Sequence, residues 1–394
     1  MALQSVDNIE VEGQNVIARF DFNVPLENGK ITDTTRIDLA LKTIHRILEG
    51  NPSHLILMSH LGRPKGKVNK DFSLEPVAEY LAEKLGEEVL LTESALDRGI
   101  KTILNLKQNR IILLENLRFH PEEEAGDKEF AKALSQYADV YVNDAFGTAH
   151  RKHASTYHIN SYFKNKSYAG YLLQNEIQAL AKVVEKPSSP FIGIVGGAKV
   201  TDKIKIIERL LTSVDSLIIG GAMAYPFLKA QGHEIGTSLC SDEDVALAKK
   251  ILATSGAKKL ILPIDHLVSE EFGGTPQLNS TLDIKEGTMG LDIGPQSIEL
   301  FQNKIRNART ILWNGPMGLF ENDHYNKGTF EIAKALAENK GFTLVGGGDS
   351  VSAVKKSGLF DKMSHVSTGG GASLEYIEQG SLPGIQALKF GIDL

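Results

Sequence analysis

The stretch Phe191–Lys203, FIGIVGGAKVTDK, decides how the second half of the chain is read. It opens with an apolar run, Phe191 to Val195, passes Gly196 and Gly197, and enters a segment that reads as a helix start. A strand, a glycine turn and a helix in that order bring backbone amides to face an anion. Lys199 and Lys203 are four residues apart, so a helix beginning near Lys199 would carry both ammonium groups on one face. Flexible point cations beside a glycine turn suit a phosphate that moves. Taken alone, the stretch fits equally well an ordinary parallel-sheet turn with two surface lysines. It is not a Walker loop, because no G-x-x-x-x-G-K-[ST] occurs.

Downstream, the same layout recurs. Strand candidates are Phe191–Val195, Ser216–Ile219, Leu260–Ile264, Thr310–Trp313, Phe342–Val345 and His365–Ser367. All but the third run into glycine: Gly196-Gly197, Gly220-Gly221, Gly315, Gly346–Gly348 and Gly369–Gly371. Glycine at the carboxyl ends of parallel strands marks where open α/β sheets bind ligands. Upstream, the runs Val16–Phe20, His54–Ser59, Arg110–Glu115 and Asp139–Val142 alternate with helical spacing, for example Ile37, Leu41, Ile44 and Leu48 before Gly50. Residues 72–86 and 126–137 also read as helices. The fold class is therefore α/β: two doubly wound, Rossmann-like parallel-sheet domains. Between them LLQNEIQALAKVV sets Leu173, Ile177, Leu180 and Val184 on one helical face, and the breaker EKPSSP follows. That pair reads as a connecting helix and a boundary.

Composition agrees. A chain of 394 residues is too long for one ordinary domain, and 42% hydrophobic with 23% charged residues is globular usage. The formal charge of −6 argues against nucleic acid or an anionic membrane as a general partner. One cysteine, Cys240, allows no internal disulfide and fits a reducing, cytoplasmic setting. The N-terminal MALQSVDNIEVEG has acidic residues and no apolar core, so no secretory leader is expected there.

The strand ends of the first half carry charge rather than glycine. They present Asp21 and Asn23, His60 and Arg63, Arg118, and His150-Arg151 with His153. Arg36 lies near the start of the next helix, where a cation opposes the helix dipole unless an anion intervenes. Each arginine by itself is as well read as a surface residue. As a set at one end of a parallel sheet they make a basic pocket, whose guanidinium forks match phosphate and carboxylate oxygens. The spacing His150-x-x-His153 suits zinc, but no cysteine joins it and arginines stand where carboxylates would be needed. In the second half, Asp349 and Ser350 of GGGDS sit where a strand turns into a helix. Asp349 reads as a Mg²⁺ ligand beside phosphate-cradling amides or, equally, as a helix cap. Glu321 of WNGPMGLFE reads as a ribose-hydroxyl acceptor or as a solvated glutamate.

Together these stretches resemble the phosphoglycerate kinase family. The motifs that carry the resemblance are RFDFNVP (19–25), ITDTTRI (31–37), SHLGRPKG (59–66), LLENLRFHPEE (113–123) and NDAFGTAHRKHAS (143–155). They continue with GGAKVTDKI (196–204), LIIGGAMA (217–224), GLDIGP (290–295), WNGPMGLFE (313–321), GGGDS (346–350) and STGGGASLE (367–375). The resemblance spans Arg19 to Glu375 and implies a glycolytic kinase moving a phosphoryl group between 1,3-bisphosphoglycerate and ADP, with 3-phosphoglycerate and ATP as products. It implies an N-terminal phosphoglycerate domain over residues 1–170, a helix and hinge over 171–186 and a nucleotide domain over 187–375. Residues 376–394 would return to the first domain. Asp21, Asn23, Arg36, His60, Arg63, Arg118 and Arg151 would hold the phosphoglycerate. Gly197, Ala198, Lys199, Lys203, Gly221, Gly290, Leu291, Asn314, Glu321, Gly347, Gly348, Asp349 and Ser350 would hold the nucleotide, with Mg²⁺ on Asp349. Arg36, Lys199, Gly370 and Gly371 would grip the phosphoryl group in transit. A monomer is expected.

Two features depart from the pattern: Ala222 replaces a frequent glycine and adds a methyl beside the nucleotide, and Ser350 stands where threonine is also common. The chemistry is consistent with the resemblance. The acceptor carboxylate, with a pKa of about 3.5, is already ionised at neutral pH and needs no general base. A nicotinamide dehydrogenase would require G-x-G-x-x-G with an acidic residue about twenty positions on, and no such motif appears. A non-catalytic anion-binding protein would not need Lys199 and Asp349 besides the arginines.

Overall fold

The structure, a computed structural model, describes residues 3–106 and 109–392. The chain divides into two units, one running up to Gln178 and resuming at Ser381, the other Ala179–Gly380.

In the first unit β1 (Asn15–Arg19) leads through a small antiparallel hairpin, β2 (Leu26–Glu27) and β3 (Lys30–Ile31), into α1 (Thr35–Glu49) and β4 (His54–Met58). There follow α2 (Glu75–Leu85), β5 (Val89–Leu91), α3 (Ile100–Leu106) and β6 (Ile111–Leu113). The short α4 (Pro121–Ala125), α5 (Lys128–Ser135), β7 (Val140–Asn143), β8 (Ser167–Ala169) and α6 (Tyr171–Val184) come next. The sheet is parallel throughout, in the order β5-β6-β4-β1-β7-β8. Its central strands are buried on both faces, which is why they read as unbroken apolar runs. One face packs Val16, Ala18, Leu55, Leu57, Ile111 and Leu113 against Ile37, Ala40, Ile44, Ile47 and Leu48 of α1; of the stripe read from the sequence, Ile37, Ile44 and Leu48 are buried there and Leu41 is only partly buried.

The second unit contains β9 (Phe191–Val195), α7 (Ile204–Ser213), β10 (Ser216–Ile219), α8 (Ala224–Ala230), α9 (Asp242–Leu252) and β11 (Leu260–Ile261). β12 (His266–Ser269), β13 (Gln277–Asn279) and β14 (Met289–Ile293) form a separate antiparallel sheet in the order β13-β12-β14. Then come α10 (Pro295–Arg306), β15 (Thr310–Asn314), α11 (Lys327–Glu338), β16 (Phe342–Gly346), α12 (Gly348–Lys356), β17 (His365–Val366) and α13 (Gly371–Gln379). The main sheet is parallel, in the order β11-β10-β9-β15-β16-β17. After α13 the chain re-enters the first unit as α14 (Pro383–Phe390), where the Gly384 amide donates to the Ala149 carbonyl at 2.8 Å.

Both sheets are doubly wound, and strand order fixes where their crevices open. In the second sheet chain order reverses between β9 and β15, in the first between β1 and β7. At such a switch point successive connections leave toward opposite faces, so the carboxyl ends of the flanking strands border a cleft.

The structure corrects several sequence readings. The helix after Gly197 starts at Ile204, not near Lys199. Residues 200–203 form a turn closed by the Lys203 amide on the Val200 carbonyl at 3.0 Å, so Lys199 and Lys203 do not share a helix face. β11 stops at Ile261 because Pro263 removes a ladder donor, and β17 stops at Val366. The antiparallel sheet of β12, β13 and β14 was not anticipated.

Candidate active site

The switch point of the first sheet is lined with ionisable side chains. β1 ends at Arg19, and the chain turns through Asp21 and Asn23. The Asn23 carbonyl accepts from Arg36 Nη1 at 3.0 Å, and both Asp21 carboxylate oxygens accept from that nitrogen at 3.2 Å. Arg36 is the second residue of α1, so Asp21 supplies the anion that relieves its unfavourable place at the positive end of a helix. The Asn23 side-chain carbonyl accepts the Gly62 amide at 2.8 Å, and Arg118 Nη1 donates to the Gly62 carbonyl at 2.9 Å. Gly62 itself sits at φ +61°, which favours glycine. Thus the β1 turn, the turn after β4 and the turn after β6 are tied into one surface.

His60, after β4, is buried, and its ring Nδ1 lies 3.0 Å from Arg19 Nη2. Burial, and then the charges of Arg19, Arg118 and Arg36, hold its pKa well below the ordinary imidazole value. Arg118 is buried and ion-paired to Glu124 at 3.3 Å. Gly147 follows β7 so closely that a β-carbon there would stand 2.5 Å from Asp21 Oδ2. Asp21, Asn23, Arg36, His60 and Arg118 therefore form one cluster, while Arg63 and Arg151 lie exposed on the loops that leave β4 and β7.

The second switch point is made mostly of backbone. Lys203 Nζ donates to the Gly196 carbonyl at 2.9 Å and the Asn314 carbonyl at 3.3 Å, so it bridges the ends of β9 and β15. Burial lowers its pKa to about 8, against the charges of Asp349 and Asp202. Asn314 Nδ2 donates to the Gly346 carbonyl at 2.7 Å, and the Gly315 amide donates to Ser350 Oγ. Three glycine turns crowd together here. A β-carbon on Gly221 would stand 2.7 Å from the Gly197 nitrogen and 2.9 Å from the Pro316 carbonyl oxygen, and Gly221 lies at φ +64°.

Beside these turns is a cavity of about 340 Å³ lined by Gly197, Ala198, Gly221, Ala222, Gly290, Leu291, Glu321 and Asp349. Tyr225, Leu239, Phe272, Met289, Pro316, Gly318 and Leu319 complete its lining. A mostly apolar slot with a carboxylate at two points suits a flat heterocycle carrying hydroxyls and phosphates. Exposed Asp349, at the start of α12 and near Lys203, fits Mg²⁺, which takes one or two protein carboxylates and completes its shell with phosphates and water. Lys199 is exposed on the 196–203 turn and does not line the cavity. Gly347 and Gly348 open α12. Gly370, at φ +51°, and Gly371 open α13 and lie outside the lining. Sequence reasoning passed over Tyr225, Leu239, Phe272 and Met289. An available signal was Phe272, an aromatic set between two glutamates and two glycines in EEFGG; in the structure it is 72% exposed.

A family model described as phosphoglycerate kinase matches residues 6–380. The chain belongs to the phosphoglycerate kinase family. It is 49% identical over 397 aligned residues to a phosphoglycerate kinase of Anaeromyxobacter dehalogenans strain 2CP-C, covering 99% of this chain and 100% of that one. It is 48% identical to the phosphoglycerate kinase of Clostridium tetani, over 98% of both chains. The structure of phosphoglycerate kinase from Coxiella burnetii superposes with a TM-score of 0.90 at 39% identity, covering 98% of this chain and 99% of that one. That from Pyrococcus horikoshii OT3 gives 0.84 at 30% identity, over 99% of both. The chain is accordingly a phosphotransferase of glycolysis, and the family reaction is reversible phosphoryl transfer between 1,3-bisphosphoglycerate and ADP. No helix among the described residues is long and apolar enough to cross a membrane.

Proposed function

We propose that the first unit binds the phosphoglycerate and the second the Mg²⁺-nucleotide of this reaction. The observation that supports the division is the difference between the two switch points: clustered guanidinium groups at one, glycine turns and an apolar cavity at the other. Arg36, Arg63, Arg118 and Arg151, with His60, Asp21 and Asn23, hold the carboxylate, hydroxyl and phosphate of the triose. Gly290 and Leu291 pack the adenine, Glu321 accepts from the ribose, and Asn314, Ser350, Gly347 and Gly348 shape the phosphate end. Lys203 stays mostly charged at neutral pH beside the phosphates. Asp349 would hold Mg²⁺, which supplies charge neutralisation on the nucleotide phosphates when bound.

The substrate carboxylate attacks as the ionised species, so the site needs alignment and positive charge rather than a base. Arg36, Lys199 and the amides of Gly370 and Gly371 carry that charge for the moving phosphoryl group. Water is kept from the acyl phosphate by closure of the units about residues 171–186. The enzyme acts as a monomer in the cytoplasm.

The deciding experiment is ATP consumption with 3-phosphoglycerate and Mg²⁺, read through a coupled dehydrogenase. Turnover that vanishes when either is omitted is the expected result. Binding of both substrates without turnover would overturn the catalytic assignment. Small-angle scattering with both substrates should show compaction, and unchanged profiles would remove the closure.

A further inference from the structure

The buried side chains beneath the arginine cluster assign a role to a residue that the reading above leaves unused. Arg19 is 1% exposed, as buried as the apolar core around it. Its Nε donates to Ser155 Oγ at 2.9 Å, and Ser155 Oγ in turn donates to Glu123 Oε1 at 2.6 Å. Glu123 is fully buried and also accepts the Ser155 amide at 3.0 Å. Arg19 Nη1 donates to the Phe20 carbonyl. A guanidinium so placed keeps its charge because a carboxylate one hydroxyl away compensates it. Its remaining terminal nitrogen, Nη2, is the one 3.0 Å from His60 Nδ1.

A guanidinium has five N–H donors and no acceptor. His60 Nδ1 must therefore accept. A neutral imidazole with Nδ1 accepting carries its proton on Nε2. We propose that Arg19 is a positioning residue, fixing His60 as a neutral ring whose Nε2–H is the donor offered to the phosphoglycerate. This rests on the assignment of His60 to that substrate. The cations that act on the ring are Arg19 from β1, Arg36 from α1 and Arg118 from the turn after β6; His153, from the loop after β7, is itself held neutral, its pKa lowered to about 3 chiefly by burial. Each cation disfavours a proton on Nδ1. The pocket thus keeps a hydrogen-bond donor of constant charge while its arginines supply the attraction.

The wild-type protein tests this without substrate. In ¹⁵N-histidine-labelled enzyme, His60 should show the Nε2–H neutral pattern from pH 5.5 to 8. An Nδ1–H ring or an imidazolium in that range would overturn the proposal. Arg19→Met removes the donor to Nδ1, and Arg19→Lys keeps the charge as a second variant should the first fail to fold. In a folded Arg19→Met the ring should stay neutral, since burial, Arg118 and Arg36 remain, but with its donor to Nδ1 gone it should populate the Nδ1–H tautomer. KM for 3-phosphoglycerate should rise about tenfold or more, the worth of a hydrogen bond involving a charged group, with the nucleotide KM unchanged. A tautomer shift with an unchanged KM for 3-phosphoglycerate would uphold the action of Arg19 on His60 and overturn the contact between His60 and the substrate. A His60 that stays an Nε2–H donor in Arg19→Met would overturn the proposal.

Discussion

The two switch points, each proposed above to hold an anion, are built of opposite materials. The first unit uses side chains. Arg36, Arg118 and His60 converge, and a buried arginine, serine and glutamate stand behind them. Its cost is desolvation, offset by pairing each charge. The second unit uses backbone. Gly197, Gly221, Gly315 and Gly347 lie at φ +115°, +64°, +99° and +90°, where other residues are strained. Its cost is chain entropy and local strain. The difference separates their vulnerabilities: the first site fails when a group is removed, the second when a group is added.

Lys199 tests this contrast most sharply, because the role proposed for it is that of a side-chain charge, exposed on the turn that also carries Lys203. Lys199→Ala should lower kcat by about 10²–10³-fold, the usual loss for a group acting on developing charge. The nucleotide KM should change by less than about threefold. Steady-state kinetics in both substrates decide it, and an unchanged kcat would remove Lys199 from the transfer step.

The carboxylates buried behind the two sites differ in the same way. Glu123 has Arg19 one serine away. Asp292 accepts the Gly328 amide at 2.8 Å and the Ile293 amide, with no cation among the influences that set its pKa. Burial, against those two bonds, raises its pKa to about 7. Between pH 4 and 7 the folded state then holds a proton that the unfolded state has released. Stability contributed by that proton is full below about 4 and is lost as pH rises toward 7, by at most about 1.4 kcal/mol per pH unit. Asp292→Asn should flatten this slope and gain on wild type at pH 8 relative to pH 5. Urea midpoints at the two pH values measure it. Parallel slopes would show that Asp292 is ionised throughout.

A methyl group should injure the second site where loss of charge injures the first. Gly221→Ala forces a β-carbon to 2.7 Å from the Gly197 nitrogen at φ +64°. The strain is about 1–3 kcal/mol, so the nucleotide KM should rise about tenfold or more. KM for 3-phosphoglycerate should hold. Arg63→Ala should do the reverse. Its KM for 3-phosphoglycerate should rise about tenfold with kcat retained, and Arg63→Lys should restore only part, because a point charge lacks the fork. A normal KM with reduced kcat in Arg63→Ala would mark it as a transition-state contact instead.

The same contrast explains what the sequence disclosed. Parallel strands buried on both faces read as apolar runs, and after them Gly196, Gly220, Gly221 and Gly315 stand where crowding leaves no room for a β-carbon. The arginines at strand ends stood out because charge at a sheet's edge has few structural uses. The supporting layer did not stand out. Arg19 in RFDFNVP looks like one more cation, and nothing local shows that Ser155 and Glu123, both distant in sequence, meet it. Phe272, Leu239 and Met289 were missed because the walls of the cavity come from loops and from antiparallel strands of three to five residues, too short for a periodic signal. The helix start at Ile204 was misplaced because the turn of residues 200–203 obeys tertiary demands. Burying Lys203 against two carbonyls outweighs helix propensity.

The smallest effect concerns Glu321, an exposed carboxylate on the rim of the cavity. If the second site draws its affinity from backbone and apolar walls, a single exposed acceptor contributes only one net hydrogen bond, about 0.5–1.5 kcal/mol. Glu321→Ala should therefore raise the KM for ATP by about three- to tenfold and leave kcat and the 3-phosphoglycerate KM alone. ATP analogues lacking the 2′- or the 3′-hydroxyl make the test specific. Deleting a hydroxyl from the substrate and the carboxylate from the enzyme removes the same bond, so the two losses should not add. Additive losses for both analogues would mean that Glu321 touches neither hydroxyl. A loss well beyond tenfold would mean that the second site depends on charge as the first does, and the contrast between them would fail.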